Sequence, residues 1–309
     1  MLRYTIRRLL LLIPTMFAVA TIVFFLAHAA PGSPFDAKSN EQKPLPQATI
    51  ERLERLYGVD KPVPEQFVLY LQNVLRFDFG TSFKANRPVA DIIGQGFPVS
   101  AQLGVQALLV ALALSLPLGV ISALKQNTLV DYGSLLFATV GTTIPSFVIA
   151  IFLIYIFGVG LHWLPFVGWS TPSHWVLPTV ILALGPMAFL TRITRASMLE
   201  AIRQDYVRTA RAKGLREQVV IIAHVMKNAM IPVATIIGPA TAGLITGSII
   251  VEGLFTIPGI GRLFLQSITS RDYPVIMATY LLYAFLIAVA NLSVDLVYGV
   301  LDPRIKVAK

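Results

Sequence analysis

Five long stretches of this chain carry no Asp, Glu, Lys or Arg: residues 9–35, 92–124, 132–191, 228–251 and 273–294. A helix that crosses a bilayer needs about 20 mostly apolar residues, because every backbone N–H and C=O must be satisfied within the segment. Four stretches hold one span each. The third is long enough for two, with the turn-rich Trp163-Leu-Pro-Phe-Val-Gly-Trp-Ser-Thr-Pro172 between them. The sequence therefore predicts an all-α polytopic membrane protein with six transmembrane helices, near 9–30, 100–123, 135–158, 175–193, 230–251 and 277–298. Composition agrees, since 13% of the 309 residues are charged, about half the share a soluble surface carries.

Basic residues in short loops set the orientation. Arg3, Arg7 and Arg8 precede the first span, Arg304, Lys306 and Lys309 follow the last, and residues 192–229 hold eight more. The loop after the third span has no charge, and the loop after the fifth has only Arg262 and Arg271. Both termini and the 192–229 segment are thus expected in the cytoplasm. Residues 31–98 carry eight basic and eight acidic residues. Loops beyond roughly 60 residues cross largely regardless of charge, so this segment reads as an extracytoplasmic domain, with 67–75 as an amphipathic helix. The first span reads as a retained anchor, although Ala27-His-Ala29 fits a small-x-small cleavage pattern, because its apolar stretch is longer than that of a signal peptide. The net charge of +9 is then a signature of membrane orientation and implies no nucleic-acid partner.

Several chemistries have no anchor. The sequence lacks G-x-x-x-x-G-K-[ST], H-E-x-x-H and G-x-S-x-G. It has no cysteine, and none of His28, His162, His174 and His224 pairs with another at i,i+4, so no metal site and no catalytic residue are expected. Asp295 is the acid clearly inside a span; it reads either as a helix–helix pairing or as a pathway residue. Thr142, Thr143 and Ser146 around Pro145 read as partners for carbonyls freed by the proline or as the lining of a polar path. Ala234, Gly238 and Ala242, with Gly243 and Gly247, form small-residue stripes of the kind that let helices approach closely.

The most informative stretch is 192–229. Asp205 is placed to cap a helix beginning at Tyr206, and Gly214 stands where a left-handed stop belongs. A second helix is expected from Glu217 to about Lys227, ending before Pro232. The two make a cytoplasmic helix–turn–helix with Thr209, Ala210, Ala212 and Gly214 at its bend.

The run Arg208-Thr-Ala-Arg-Ala-Lys-Gly214, followed by a helix and Asn228-Ala-Met-Ile-Pro232, resembles the E-A-A…G loop of binding-protein-dependent ABC transporter permeases. Ala210 and Gly214 match, whereas Arg208 and Thr209 stand in place of the Glu and first Ala, so a salt bridge from that Glu is not implied. Met1-Leu-Arg-Tyr-Thr-Ile-Arg-Arg-Leu, Ala30-Pro-Gly-Ser-Pro34, Phe77-Asp-Phe-Gly-Thr-Ser82, Phe97-Pro-Val-Ser100, Ile144-Pro-Ser-Phe147, Glu252-Gly-Leu-Phe-Thr-Ile-Pro-Gly-Ile-Gly261, Arg271-Asp-Tyr-Pro274 and Asp302-Pro-Arg304 resemble the B-type permeases of dipeptide and oligopeptide importers across essentially the whole chain.

That resemblance implies a type I ABC importer permease: a first helix and cytoplasmic tip over 1–30, the extracytoplasmic domain over 31–98, a five-helix core over 99–302 with its coupling segment at 192–229, and a tail over 303–309. It implies a homologous second permease, two ATPase subunits that bind ATP and Mg, an extracytoplasmic peptide-binding protein, and residence in the bacterial inner membrane. The chain itself would hold no cofactor and catalyse no reaction. Arg208, Thr209, Ala210, Arg211, Gly214 and Leu215 would form the ATPase-coupling bend. Thr142, Ser146 and Asp295 are the candidates for a pathway or gate. Glu252, Pro258, Gly259 and Gly261 read either as a lid or docking loop for the binding protein or as a tight turn. Nickel-chelate and glutathione permeases share the pattern, and an ion-coupled carrier or a stand-alone channel is the rival from another class.

Overall fold

The computed structural model describes residues 2–29, 51–52, 54–55 and 58–301, with side chains for 6–29, 51–52, 54–55, 58–234, 236–238, 240–241 and 243–293. The Ala30–Pro34 and Asp302–Arg304 motifs, the tail 303–309 and the Asp295 side chain lie outside these. Among the described residues five helices are long and apolar enough to span a membrane, and a sharply bent pair makes a sixth. The spans are α1 (Leu2–Ala29), α3 (Val89–Leu124), the bent pair α4 (Leu129–Thr143) and α5 (Ser146–Leu153), α6 (Pro172–Ile202), α9 (Lys227–Ile245) running on into α10 (Ile249–Leu254), and α12 (Tyr273–Leu301). Shorter helices are α2 (Val63–Leu75), α7 (Asp205–Ala212), α8 (Glu217–Val219) and α11 (Ile260–Ser270).

The core is α3 lying along α6, with α9 against both, α4 on α6, and α1 paired with α12 at the side. Small residues permit this. The buried face of α3 runs through Gly96, Ser100, Gly104, Ala107, Ala111, Ser115, Gly119 and Ser122, at three- and four-residue steps. A Cβ on Gly104 would fall on the backbone of Leu244 and lie 2.8 Å from Ile245 Cα; one on Gly119 would lie 2.6 Å from Thr194 Cβ. Lipid solvates apolar side chains as well as a core does, so helices associate through such close backbone approach. Bulky residues point away instead: Leu109 and Ile13 are exposed by 60% and 67%.

Several expectations are corrected. The third span is not one rod over 135–158, because the chain bends by 104° between α4 and α5. Pro145 has no N–H to continue the ladder, and its ring forces Ile144 into an extended conformation (φ −82°, ψ 125°). The fourth span continues past 193 to Ile202, since its last turns bury Met198 and Ala201 against protein rather than lipid. The helix after Glu217 does not stop before Pro232. It widens into a π-helix over Val220–Met226 and carries on as α9. The Gly243/Gly247 pair does not act as one stripe: Gly243 is exposed with no atom within 4 Å of a would-be Cβ, whereas Gly247 (φ +88°) lies in a left-handed turn after α9, where a Cβ would come within 2.6 Å of Glu252 Oε1 and 3.3 Å of Ser100 Cβ.

At the end of the bundle where α1 closes, α2 packs Phe67 and Tyr70 on Phe24 at ring distances of 5.2 and 5.5 Å. Burial pushes the Tyr70 phenol up from its ordinary pKa. The loop that follows is tied to the start of α12 by the buried Asp272. This carboxylate accepts from Ser82 Oγ, from the Phe83 N–H at 3.1 Å and from the Lys84 N–H at 3.4 Å. Two motifs 190 residues apart, Phe77–Ser82 and Arg271–Pro274, thus form one joint.

Candidate coupling site and its braces

At the opposite end, α6 breaks at Arg203 and Gln204, and the chain turns into α7. Gln204, not Asp205, occupies the cap position; Asp205 lies one residue inside and makes a 3.5 Å contact with Arg208. Val207 and Ala210, three apart, are buried among Ala123, Met198, Ala201, Val220, Val225 and Ala229. Arg208, Thr209, Arg211, Lys213, Leu215 and Arg216 all face outward. Ala210 therefore seats the elbow on the bundle, while the basic residues and Leu215 form its free face. Gly214 takes φ +76° with open space around a would-be Cβ, so the requirement for glycine there is backbone conformation. Arg211 closes the turn with a forked pair to Glu217, Nη2 to Oε1 at 2.6 Å and Nε to Oε2 at 3.1 Å. A recess of about 360 Å³ lined by Ser197, Glu200, Gln204, Tyr206, Asn228 and Pro232 opens beside α7.

The hydrogen bond from Arg211 holds the Glu217 carboxyl below the ordinary carboxylate range. A lowered folded-state pKa makes the contribution full above the unfolded value of about 4.3 and lost as pH falls through the folded one. Glu217→Gln at neutral pH is expected to loosen the turn in the same way, read as faster amide hydrogen exchange over residues 211–219 with exchange in α3 unchanged.

Above the elbow sits a clamp that sequence reasoning missed. Asp131, 1% exposed, takes Arg195 Nε at 2.6 Å and Nη2 at 2.8 Å, Ser122 Oγ at 2.6 Å and the Asn127 N–H at 2.9 Å. Ser122 ends α3, Asp131 starts α4, and Arg195 stands about two turns before the end of α6. One carboxylate thus joins three helices directly beside the elbow. The sequence signal was a lone acid at the start of an apolar stretch, but Arg195 counted there only as a positive-inside residue.

The distal candidates separate. Glu252 is 0% exposed and buried beside the first turns of α3. It accepts from Ser100 Oγ at 2.8 Å and from the Arg262 N–H at 3.1 Å, while the Ile260 N–H donates to Ser100 Oγ at 2.8 Å. Gly259 and Gly261 are buried around this knot, and Pro258 alone of the four is exposed. Glu252, Gly259 and Gly261 thus form a buried turn. The motifs Phe97–Ser100 and 252–261 meet here as the other motif pair meets at Asp272. Thr142 and Ser146 flank the α4–α5 bend; Thr142 Oγ1 donates to the Ala138 carbonyl at 2.8 Å and accepts from Arg192 Nη2 at 3.2 Å, and Ser146 is exposed. Among the described residues no group of three His, Cys, Asp or Glu is placed to hold a metal.

An all-helical, multi-pass membrane protein with an elbow braced beneath three of its helices is the class these features define. The family model described as binding-protein-dependent transport system inner membrane component matches residues 115–307, and the model of the N-terminal part of such components matches 1–104. The dipeptide transport system permease protein DppB of Bacillus subtilis is 44% identical over 310 residues, covering 100% of this chain and 99% of that one. The oligopeptide transport system permease protein OppB of Escherichia coli K12 is 42% identical, covering 99% and 100%. Among solved structures, an amino acid ABC transporter with histidines matches at TM-score 0.55 and 15% identity, covering 67% of this chain and 93% of that one. The inward-facing MetNI methionine ABC transporter matches at 0.54 and 14%, covering 68% and 96%. The chain belongs to the binding-protein-dependent transport system inner membrane components. It has the type I ABC importer permease fold and is a multi-pass subunit of the bacterial inner membrane.

Proposed function

We propose that this chain is one of two permease subunits of an ATP-driven importer of di- or oligopeptides. A homologous permease completes the pathway, two ATPase subunits bind ATP and Mg beneath the elbow, and an extracytoplasmic binding protein delivers the peptide. Both termini and the elbow face the cytoplasm. The observation that carries this reading is the elbow itself: α7 buries Val207 and Ala210 against the bundle, its outward face is basic, and the turn after it is closed by the Arg211–Glu217 pair. A rigid lever of this kind passes ATPase closure to α6, and through Asp131 to α3 and α4. The pathway then shifts between two states of access. The names of the relatives at 44% and 42% identity supply the peptide class.

Gly214→Val is the direct test. A β-branched residue is disfavoured at φ +76°, and its side chain would protrude into the docking face. The expected result is insertion at wild-type levels and peptide uptake reduced at least tenfold in the reconstituted complex. Normal uptake by this variant would remove the coupling assignment. Uptake by the wild-type complex that persists without ATP and follows a proton or sodium gradient would point to an ion-coupled carrier. Recovery of a metal chelate or glutathione from the binding protein would replace the peptide assignment while leaving the coupling mechanism.

A further inference from the structure

Among the described residues, Arg262 has no carboxylate partner for its guanidinium. It stands in the first turns of α11, and one guanidinium nitrogen, Nη1, donates to the Thr256 carbonyl at 3.1 Å. The acid closest in the network, Glu252, is occupied by Ser100 Oγ and by the Arg262 backbone N–H rather than by its side chain. An arginine at a membrane protein's solvent boundary is ordinarily neutralised or directed to lipid phosphate. This one lines a cleft of about 500 Å³ between α3 and the 258–266 segment.

The cleft wall has a particular chemistry. Gln95 on α3 and Gln266 on α11 are exposed and line the same space as Arg262, while Ile92, Val99 and Leu263 make its apolar walls and Gly96, Pro258 and Gly259 complete the lining. Gly259 directly precedes the first residue of α11, and the N–H groups of that helix start turn inward to Ser100 Oγ and Glu252, which leaves the side chains to supply the donors of the cleft. A guanidinium and two primary amides set among apolar walls make a surface that favours a carboxylate. Arginine binds such a group through paired N–H donors. The volume lies in the range of about 300–1,000 Å³ typical of small-ligand sites. A concave site suits a small substrate better than the flat rim of a protein partner.

We infer that this cleft is a station for the substrate's free C-terminal carboxylate, with Arg262 as its anion-binding residue and Gln95 and Gln266 as flanking donors. The inference rests on the peptide-import reading and specifies what the permease, as distinct from the binding protein, recognises. The knot at Glu252 gives the site its rigidity: the carboxylate fixes the Arg262 backbone, so the guanidinium is held at the mouth of the cleft.

The test uses the complete importer in liposomes. A peptide and its C-terminal amide are each supplied as the preloaded complex with the binding protein, so that capture is equal and only the permease step differs. Wild-type protein is expected to import the free acid faster than the amide. Arg262→Gln is expected to lower uptake of the acid about tenfold, the worth of one charge-assisted contact, and to leave the amide within twofold, so that the preference collapses. Gln266→Glu, an exposed substitution that leaves the Arg262–Thr256 bond in place, is expected to produce the same loss by supplying a competing internal carboxylate. Equal loss of acid and amide in both variants would identify Arg262 as a contact for the binding protein and overturn the inference. No change in either variant would overturn it as well. Import of neither form by wild-type protein, with ATP hydrolysis intact, would instead sink the peptide reading on which it stands.

Discussion

Replacing Asp131 with alanine is expected to destabilise the bundle by about 3–5 kcal/mol, the usual penalty for removing one member of a buried ion pair. The loss is large because four donors converge on the carboxylate: two from Arg195, one from Ser122 and the Asn127 backbone N–H. All four lose their acceptor at once, and the Arg195 guanidinium, at 18% side-chain exposure, is left as a nearly buried charge. Denaturation of the purified protein in mixed detergent micelles reads this directly. Asp131→Asn is expected to fall between, since its amide keeps one acceptor and turns a donor toward arginine. The double variant Asp131→Leu/Arg195→Met is expected near wild-type stability, because replacing both charges removes the desolvation problem, yet it should transport poorly if α3, α4 and α6 must move together. A single-variant loss below about 1 kcal/mol would mean that the pair is hydrated and weak.

Gly259→Ala is expected to cost about 2–3 kcal/mol, from overpacking combined with broken hydrogen bonds. A Cβ at this position would fall on Glu252 Oε2 and Ser100 Oγ. Neither can yield cheaply, because Ser100 also accepts from the Ile260 N–H and Glu252 also accepts from the Arg262 N–H. Gly253→Ala is the internal control: no atom lies within 4 Å of its Cβ, so alanine in that helical position should be neutral or slightly stabilising. Thermal unfolding of the two variants side by side separates them. Equal midpoints would show that the knot relaxes freely and that Gly259 is there only for the turn.

Much of this was legible in advance. Charge-free runs gave six spans, because lipid admits no other use for long apolar sequence, and the clustering of Arg and Lys at 192–229 marked the segment that forms the elbow. Gly214 was read correctly as a left-handed stop, since few sequences place a glycine between two helix patterns for any other reason. Where the reading failed, it failed through lack of neighbours. Pro145 stood out as freeing carbonyls inside a span, but the 104° bend there did not, because a proline in a span can kink slightly or break the helix outright, depending on what packs beside it. Asp205 was misplaced by one residue because Gln204, a weaker capping type, took the position through its extended backbone (φ −74°, ψ 149°).

The division has a physical basis. Transfer into lipid is a property of a segment, so span number, composition and the position of the basic segment follow from residues considered singly and in order. Pairing is a property of two segments, and here the pairs are remote: Ser82 with Asp272, Ser100 with Glu252, and Asp131 with Arg195 are separated by 190, 152 and 64 positions. Each acid stands in an apolar or short loop context that sequence alone leaves ambiguous between surface and core. Only the tertiary packing buries those carboxylates, Asp131 between α3, α4 and α6, Glu252 between α3 and the start of α11, and Asp272 between the 82–84 loop and the start of α12, and burial obliges each to find its donors.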